Sequence, residues 1–249
     1  MPSKTTSRTS ASKRKTAAST SKASRPTKKT QQSPALIAFY PIVVLALVMW
    51  VLYRSLLQSF PVWFDESIGK AIFFGFPVWL YIVMSRSKSI VDTFSARKLY
   101  PGLFLGLAAG GMFGFATSIL VLLQTGAQVL PVALFSSEVF WGEFILAILT
   151  GFWETLLFFS FIMTVIMEKY PKWSVVSQAA LTASIFLIFH IPNMLTQVGA
   201  GDVLLFIPYL MVMFLFGLGQ AFLFYARRNA YALVLSHAIW GMVLLTHTW

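Results

Sequence analysis

The sequence predicts an all-α, polytopic transmembrane helical bundle of about seven spans. Hydrophobic residues make up 57% of the 249 residues and charged residues only 11%, whereas a soluble domain carries about 25% charged residues. The apolar residues come in runs of about 20, which is the length that a helix needs to cross a bilayer. The basic residues lie almost entirely outside those runs. The absence of cysteine excludes disulfides, thiolate catalysis and cysteine-ligated metals.

Residues 1–34 predict a disordered, basic cytoplasmic tail that precedes a transmembrane domain over 35–249. The tail is rich in Ser, Thr, Lys, Arg and Ala and has no acidic residue, so it cannot bury enough apolar surface to offset its ordering entropy. We expect it to contact anionic lipid head groups. Nucleic-acid binding is not expected, because neither aromatic residues nor a fold accompany the charge. A cleaved organellar transit peptide is the alternative, since such peptides are also basic and rich in serine.

Seven hydrophobic segments follow the tail and give the expected spans. Pro41, Pro77 and Pro208 lie inside three of them, which membrane helices tolerate better than soluble helices do. Glycines recur in the third segment at four-residue spacing, and small residues at that spacing let a neighbouring helix approach closely. The predicted limits of the segments are 35–57, 67–85, 100–123, 138–167, 174–197, 203–226 and 230–248.

The charges of the loops predict a cytoplasmic N-terminus. With the tail inside, the inside loops are 86–99, 168–173 and 227–229, and the outside loops are 58–66, 124–137 and 198–202. The tail and the inside loops then contain 17 of the 19 basic residues, which follows the positive-inside rule. Arg54 and Lys70 are the two exceptions. We expect an integral, multi-pass protein of a bacterial plasma membrane that has membrane lipid as its surroundings.

Glu154, His190 and His237 place three ionisable groups within segments four, five and seven. Such a group near the bilayer centre costs at least about 2.5 kcal/mol, so it is by default a functional hypothesis. A single intramembrane histidine is more often a hydrogen-bonding residue between helices, but these are two of only three histidines in the chain. Because segment four itself contains no Lys or Arg, we expect the two histidines to be the partners of Glu154. Counted at about 1.5 Å per residue, however, His237 lies only about half as deep as the other two residues.

The remaining acidic and histidine residues are expected to be less central. Glu138 and Glu143 are predicted at the outer interface, where Glu143 becomes a second intramembrane group if the span starts early. His247 is predicted to be a solvated residue near the C-terminus.

A carboxylate and two imidazoles within a membrane fit three kinds of chemistry. A glutamate and a histidine around a trapped water form a general base. The same three residues could ligate zinc and leave the open position that a catalytic zinc requires, although no cofactor is demanded by the sequence. A proton relay in a small transporter is the third. A protease built on paired intramembrane aspartates is disfavoured, because Asp65, Asp92 and Asp202 all lie in predicted loops.

The motifs around these residues resemble those of a known family. The stretch from Glu154 to Phe159 resembles a first motif Glu-Glu-x-x-x-Arg, and the stretch from Phe186 to His190, followed by Pro192-Asn193, resembles a second motif Phe-x-x-x-His. The stretch from His237 to Gly241 resembles a third motif, His-x-x-x-Asn or His-x-x-x-Asp. Their order and intervals over residues 138–248 resemble the CPBP intramembrane proteases, which include the type II CAAX prenyl endopeptidases.

The resemblance implies an intramembrane endopeptidase that acts on a membrane-associated or prenylated peptide or protein. It implies that Glu154 and His190 activate water for hydrolysis and that His237 helps to stabilise the oxyanion. It also places Phe186 and Asn193 beside the substrate or in support of the catalytic residues.

Three departures from the motifs bear on activity. Thr155 stands in place of the second glutamate, Phe159 in place of the arginine, and Gly241 in place of the asparagine or aspartate. If the first motif is read one residue earlier, Glu154 is the second glutamate and Phe158 stands in place of the arginine. Thr155 and Gly241 therefore join the residues expected around the site without offering the family's charged or amide groups. The departures imply a slow or divergent protease, or an inactive relative that acts as a membrane binding or immunity protein.

Overall fold

The computed structural model describes residues 34–56, 60–125, 139–197 and 203–245, and within these ranges it contains helices and turns but no strand. The predicted all-α fold is confirmed. Apart from Pro34, the predicted basic tail lies outside the described residues, as do Glu138, Asp202 and His247.

Seven main helices account for most of the described residues. Six of them are long and apolar enough to cross a membrane, and the seventh is a shorter apolar helix. The chain is thus an integral, multi-pass membrane protein, while the side on which its N-terminus lies stays a prediction. The helices are α1 (Pro34–Leu56), α2 (Val62–Ser85), α3 (Leu99–Thr125), α4 (Phe140–Lys169), α5 (Val175–Gln197), α6 (Val203–Arg227) and α7 (Ala230–Leu245).

The first turns of α2 differ from the prediction. Pro61 has an extended backbone, and the helix begins at Val62, so the outside loop predicted over 58–66 is wrong in its second half. Asp65 and Glu66 lie within the first turns of the helix. They can do so because each carboxylate is paired with a base, Asp65 with Arg54 and Glu66 with Lys70. Pairing with an opposite charge offsets much of the hydration free energy that a charged side chain loses when it enters a low-dielectric region.

Two helix features follow from local chemistry. Helices α2 and α6 are each followed by an arginine with left-handed backbone, Arg86 at φ 53° and Arg228 at φ 47°, a conformation that ends a helix. Pro192 does not end α5, which continues to Gln197. Beside this proline, the indole N–H of Trp50 on α1 donates a hydrogen bond of 3.0 Å to the Phe189 carbonyl. Neighbouring helices can in this way satisfy backbone groups that a proline disturbs.

Helix α4 lies at the centre of the bundle. A wide, π-helical stretch, Thr155–Met163, begins immediately after Glu154 and is buried at every position except Leu156. Such π-helical stretches inside α-helices occur frequently at functional sites, because the extra residue per turn changes where side chains point. The residue pattern of segment four did not predict this change in helix type.

The glycine stripe of α3 packs against α7, as its spacing predicted. A Cβ atom on Gly106 would lie 2.7 Å from the Ala232 carbonyl oxygen, and one on Gly110 would lie 2.9 Å from Ser236 Cα. Real Cβ atoms do not come so close, so only glycine allows the two backbones this approach. The contact fixes the part of α7 that carries His237.

The start of α7 explains the apparent depth of His237. Ala230 is fully buried, and its backbone N–H donates to the Thr93 carbonyl at 3.1 Å. The Asn229 side chain donates to the Lys98 carbonyl at 2.8 Å. Segment seven therefore starts within the bundle, below residues 93–98, and His237 reaches the level of Glu154 although it lies only seven residues into the helix.

Candidate active site

Glu154 of α4, His190 of α5 and His237 of α7 come together inside the bundle. Glu154 Oε2 lies 3.4 Å from His190 Nε2 and 3.5 Å from His237 Nε2. Glu154 is 2% exposed and His237 is 7% exposed. Both separations exceed the usual length of an N–H···O hydrogen bond, about 2.7–3.2 Å. The structure thus gathers the three residues around one carboxylate oxygen, and their catalytic roles stay a prediction.

Lys70 of α2 is the nearest partner of Glu154, and the sequence analysis missed it. Its Nζ lies 2.5 Å from Glu154 Oε1, and its side chain is buried. The two expected histidines do lie beside Glu154, but the expectation did not include this lysine. The cation comes from another helix, 84 positions away along the chain. One signal was present, since Lys70 is one of the two basic residues that did not fit the loop pattern.

Glu66 extends the network by one residue. Its carboxylate accepts a hydrogen bond from Lys70 and another, 2.8 Å long, from Thr150 Oγ1 of α4. Lys70 therefore lies between two carboxylates, those of Glu66 and Glu154. With both imidazoles neutral, these three charged side chains carry one net negative charge.

A second pair of charges fixes the start of α2 against α1. Asp65 accepts hydrogen bonds from the Tyr53 hydroxyl and, at 2.5 Å, from Arg54 Nη1. Asp65 is buried, so its predicted place in an exposed loop is wrong. Both of its oxygens have partners in α1, which makes Asp65 an anchor for the helix that carries Glu66 and Lys70.

The orientation of His190 is set within its own helix. Its Nδ1 lies 2.8 Å from the Phe186 carbonyl oxygen, and a carbonyl can only accept, so Nδ1 carries the proton. In the neutral ring, Nε2 then has a free lone pair and points toward Glu154. The Phe186 ring packs on the imidazole with 4.2 Å between centroids. Phe186 therefore orients His190 through both its backbone and its side chain.

His237 is held by aromatic neighbours. Its ring meets the Phe216 ring edge-on at 5.2 Å between centroids, and Phe216 stacks on Trp240 at 3.7 Å. Its Nδ1 is buried and makes no hydrogen bond to any residue that the structure describes. Packing, rather than hydrogen bonding, fixes the direction of this imidazole.

The other predicted site residues lie close to these three along the chain. Thr155 is buried immediately after Glu154. Asn193 is half-buried on α5, less than one turn after His190. Gly241 lies one turn after His237 on α7, and a Cβ atom built on it meets no atom within 4 Å. The sequence prediction therefore placed all three on the right helices, and Gly241 borders open space.

That open space is a cavity of about 190 Å³ between α2, α4 and α7. Glu143, Ala147 and Thr150 occur at intervals of one helical turn and supply the α4 wall. Its full lining is Val62, Glu66, Glu143, Leu146, Ala147, Thr150, His237 and Gly241. The cavity leads from the first turns of α2 and α4 to the His237 imidazole.

Comparison with known proteins identifies the segment that contains these residues. Residues 135–243 match the family model described as type II CAAX prenyl endopeptidase Rce1-like. This segment is Rce1-like. The match confirms the resemblance that the motifs indicated, and it covers somewhat less than half of the chain. No curated protein and no solved structure matches the chain.

The Rce1-like segment contains Glu154, His190 and His237, whereas Glu66 and Lys70 precede it. Phe159, in the motif position of the arginine, is fully buried among aromatic rings. The positive charge at Glu154 is supplied instead by Lys70 of α2. The described site is therefore assembled from the family segment and from a helix outside it.

The arrangement of Glu154, His190 and His237 does not fit a zinc site. Within the described ranges, no group of three His, Cys, Asp or Glu side chains is arranged to hold a metal. The Lys70 ammonium also lies at Glu154 Oε1, where it would repel a second cation.

Proposed function

We propose that this chain is an intramembrane endopeptidase that hydrolyses a peptide bond of a membrane-associated or prenylated substrate. The observation that carries the proposal is the single carboxylate oxygen, Glu154 Oε2, flanked by two imidazoles within the Rce1-like segment. The family description supports the coarser statement, a CAAX-protease-type intramembrane endopeptidase. The water-activating residues and the substrate class are our proposal.

Glu154 and His190 act together on the attacking water. The Glu154 carboxylate takes a proton from the water as its oxygen bonds to the carbonyl carbon of the peptide, while the Nε2 lone pair of His190 accepts the second O–H hydrogen bond and orients it. The tetrahedral intermediate then breaks its C–N bond. The proton held by Glu154 passes to the leaving nitrogen, and the products are a carboxylic acid and an amine.

His237 stabilises the developing oxyanion. With its proton on Nε2, the ring can donate to the carbonyl oxygen as that oxygen gains negative charge. Gly241 offers no side-chain donor beside it. Since one oxyanion donor is worth about 10²–10³ in kcat in a well-studied soluble protease, turnover is expected to be slow.

Lys70 prepares Glu154 for this role. Its ammonium engages Oε1, which leaves Oε2 facing the imidazoles. The ion pair also supplies the compensating charge that a buried carboxylate requires.

The test uses purified full chain reconstituted in lipid vesicles, with prenylated and membrane-spanning peptides as substrates and mass spectrometry as the readout. Glu154→Gln and His190→Ala are expected to lower kcat at least about 10²-fold. Glu168→Gln is the matched control, because Glu168 is exposed, accepts a hydrogen bond from Ser89 and does not belong to the Glu154 cluster. Turnover that is equal in the wild type and both site variants would overturn the proposal.

An inactive binding or immunity protein is the second candidate, and Gly241 and Phe159 in their motif positions favour it. The same assay separates the two, because an inactive relative cleaves no peptide in any form. A proton-coupled transporter, favoured by the ion-paired Glu66–Lys70–Glu154 chain, predicts instead a proton flux into vesicles that Glu154→Gln abolishes.

A further inference from the structure

A buried hydrogen bond links α6 to α7 directly beside His237. Gln220 of α6 donates from Nε2 to Ser236 Oγ of α7 at 2.6 Å, and both residues are fully buried. Ser236 Oγ in turn donates to the Leu233 carbonyl of its own helix at 3.2 Å. Because Ser236 immediately precedes His237, the position of Ser236 fixes the backbone that carries the imidazole.

Two successive turns of α6 contact neighbouring residues of α7. Phe216 lies one turn before Gln220 on the same face of α6, and its ring meets the His237 ring at 5.2 Å between centroids. Gln220 holds Ser236 from the next turn. Consecutive residues of an α-helix are about 100° apart, so contacts to two neighbours fix the rotation of α7 about its axis. That rotation directs His237 Nε2 toward Glu154 Oε2, 3.5 Å away.

A second contact to Ser236 comes from α3. A Cβ atom on Gly110 would lie 2.9 Å from Ser236 Cα and 3.0 Å from its carbonyl oxygen. This backbone contact determines how closely α7 approaches α3. It involves no side-chain hydrogen bond, so the rotation of α7 depends on the contacts that α6 makes.

Gln220 has a hydrogen-bond partner for only part of its amide. Its Oε1 is buried and has no partner among the described residues. A buried polar atom without a partner lowers stability, whereas an apolar group of similar shape in its place can be neutral or stabilising. An apolar residue at position 220 would therefore stabilise the bundle at least as well as the glutamine does. The contact beside His237 gives the glutamine a role other than stability.

We propose that Gln220 is a positioning residue, which acts through Ser236 to set the rotation of α7 so that His237 faces Glu154. The inference rests on the proposed peptidase function for the role of His237 in turnover, but the effect on the imidazole does not depend on activity. Catalytic geometry tolerates displacements of about 1 Å poorly, so a small rotation is enough to slow turnover. Substrate binding is expected to be unaffected, because Gln220 is fully buried.

Gln220→Met removes the amide and keeps an unbranched side chain of similar length, and Gln220→Leu is the second variant if methionine does not pack. We expect kcat to fall about tenfold or more with KM unchanged. The unfolding temperature in detergent is expected to stay at or above that of the wild type. A lower unfolding temperature with unchanged kcat in the folded fraction would overturn the inference, because it indicates a purely structural role.

Gln178→Met is the matched control. Gln178 is also buried and donates from Nε2 to the Tyr170 carbonyl at 2.8 Å, near the start of α5 and away from the Glu154 cluster. This variant is expected to lower the unfolding temperature, since it removes a buried hydrogen bond, and to leave kcat and KM of the folded fraction unchanged. An equal fall in kcat for the Gln178 and Gln220 variants would overturn the inference.

Ser236→Ala tests whether Gln220 acts through Ser236. It removes the acceptor of the same hydrogen bond, so its folded fraction is expected to lose kcat by about the same factor as Gln220→Met. The double variant is expected to be no slower than either single variant, because two partners of one contact are not additive. Losses that multiply in the double variant would overturn the route through Ser236.

A measurement without cleavage separates this inference from the peptidase function. The chain has three histidines, so the imidazole NMR signals of histidine-labelled protein can be assigned with His190→Gln and His247→Gln. Gln220→Met is expected to shift the His237 signals, and Gln178→Met is expected to leave them in place. Unshifted His237 signals in Gln220→Met would overturn the positioning role even in a chain that cleaves peptides. Shifted signals in a chain that cleaves no peptide would support the positioning of the imidazole and overturn the peptidase function.

Discussion

Lys70 Nζ and Glu154 Oε1 lie 2.5 Å apart, although the two residues are 84 positions apart in the chain. The pair joins α2 to α4 at the centre of the bundle, and both side chains are buried. Neither charge could remain there alone, because an isolated ion in a low-dielectric interior costs several kcal/mol. The pair therefore has a structural role and a proposed chemical one, and the two can be separated.

Lys70→Met is expected to impair both stability and turnover. Removing one partner of a buried ion pair typically destabilises by about 3–5 kcal/mol, because the other charge is left uncompensated. The measurements are thermal unfolding in detergent and kcat of the folded fraction.

Two further variants separate charge from packing. Lys70→Arg keeps the positive charge and is expected to recover most of the stability. The double variant Lys70→Met with Glu66→Gln leaves only Glu154 unpaired and is expected to be more stable than Lys70→Met alone. Wild-type stability and turnover in Lys70→Met would show that the ion pair has neither role.

The seven helices could be predicted from hydrophobicity, whereas the full site could not. A span must place about 20 apolar residues in series, so its length and composition are visible in one stretch of sequence. Glu154 and His190 were visible for the same reason, as polar residues within such stretches. Lys70 and Glu66 lie near the end of a stretch, where charged residues are common. Their pairing with Glu154 is a contact between helices, and a single sequence does not show such contacts.

The start of α7 shows a second limit of sequence reasoning. Counting residues from the loop placed His237 too shallow, because a loop was assumed to lie at the membrane surface. The structure instead buries Ala230 beneath residues 93–98, held by the hydrogen bond from its N–H to the Thr93 carbonyl. Depth depends on how elements stack, which periodicity does not reveal.

Activity is expected to be independent of divalent metal. The Lys70 ammonium at Glu154 Oε1 stands where a metal would add a second positive charge, and no described set of three ligand side chains fits a metal ion. Dialysis against a strong chelator should leave kcat/KM unchanged, and zinc added afterwards should not raise it. Loss of turnover on chelation, with recovery on adding zinc but not magnesium, would contradict this expectation.

Gly241→Asn is expected to raise kcat, by about tenfold or more. The motif position four residues after the histidine carries a side chain with hydrogen-bonding groups in the family that the chain resembles, and a donor aimed at an oxyanion is worth about 10²–10³. The substitution should fit, since no atom lies within 4 Å of the added Cβ. Gly241→Ala is the control, because it adds a methyl group without a donor. If the Asn and Ala variants turn over substrate equally, a side-chain donor at position 241 does not stabilise the oxyanion.

Two adjacent glycines of α3 provide the sharpest test of how the bundle holds His237 in place. A Cβ on Gly110 would lie 2.8 Å from Ile239 Cβ and 2.9 Å from Ser236 Cα, whereas one on Gly111 meets no atom within 4 Å. Gly110→Ala should therefore push α3 and α7 apart and destabilise by about 1–3 kcal/mol, the usual cost of overpacking. Gly111→Ala should be neutral or slightly stabilising, because alanine is the better helix former.

The same pair of variants also links packing to the site. Ser236 precedes His237 directly, so a shift of α7 at Ser236 changes the separation between His237 and Glu154, now 3.5 Å. Gly110→Ala is expected to lower kcat by about 10²-fold even in its folded fraction, since catalytic geometry tolerates displacements of about 1 Å poorly. Unfolding temperature and kcat are measured side by side for both variants. Equal behaviour of Gly110→Ala and Gly111→Ala would mean that the close approach of α3 and α7 does not position His237.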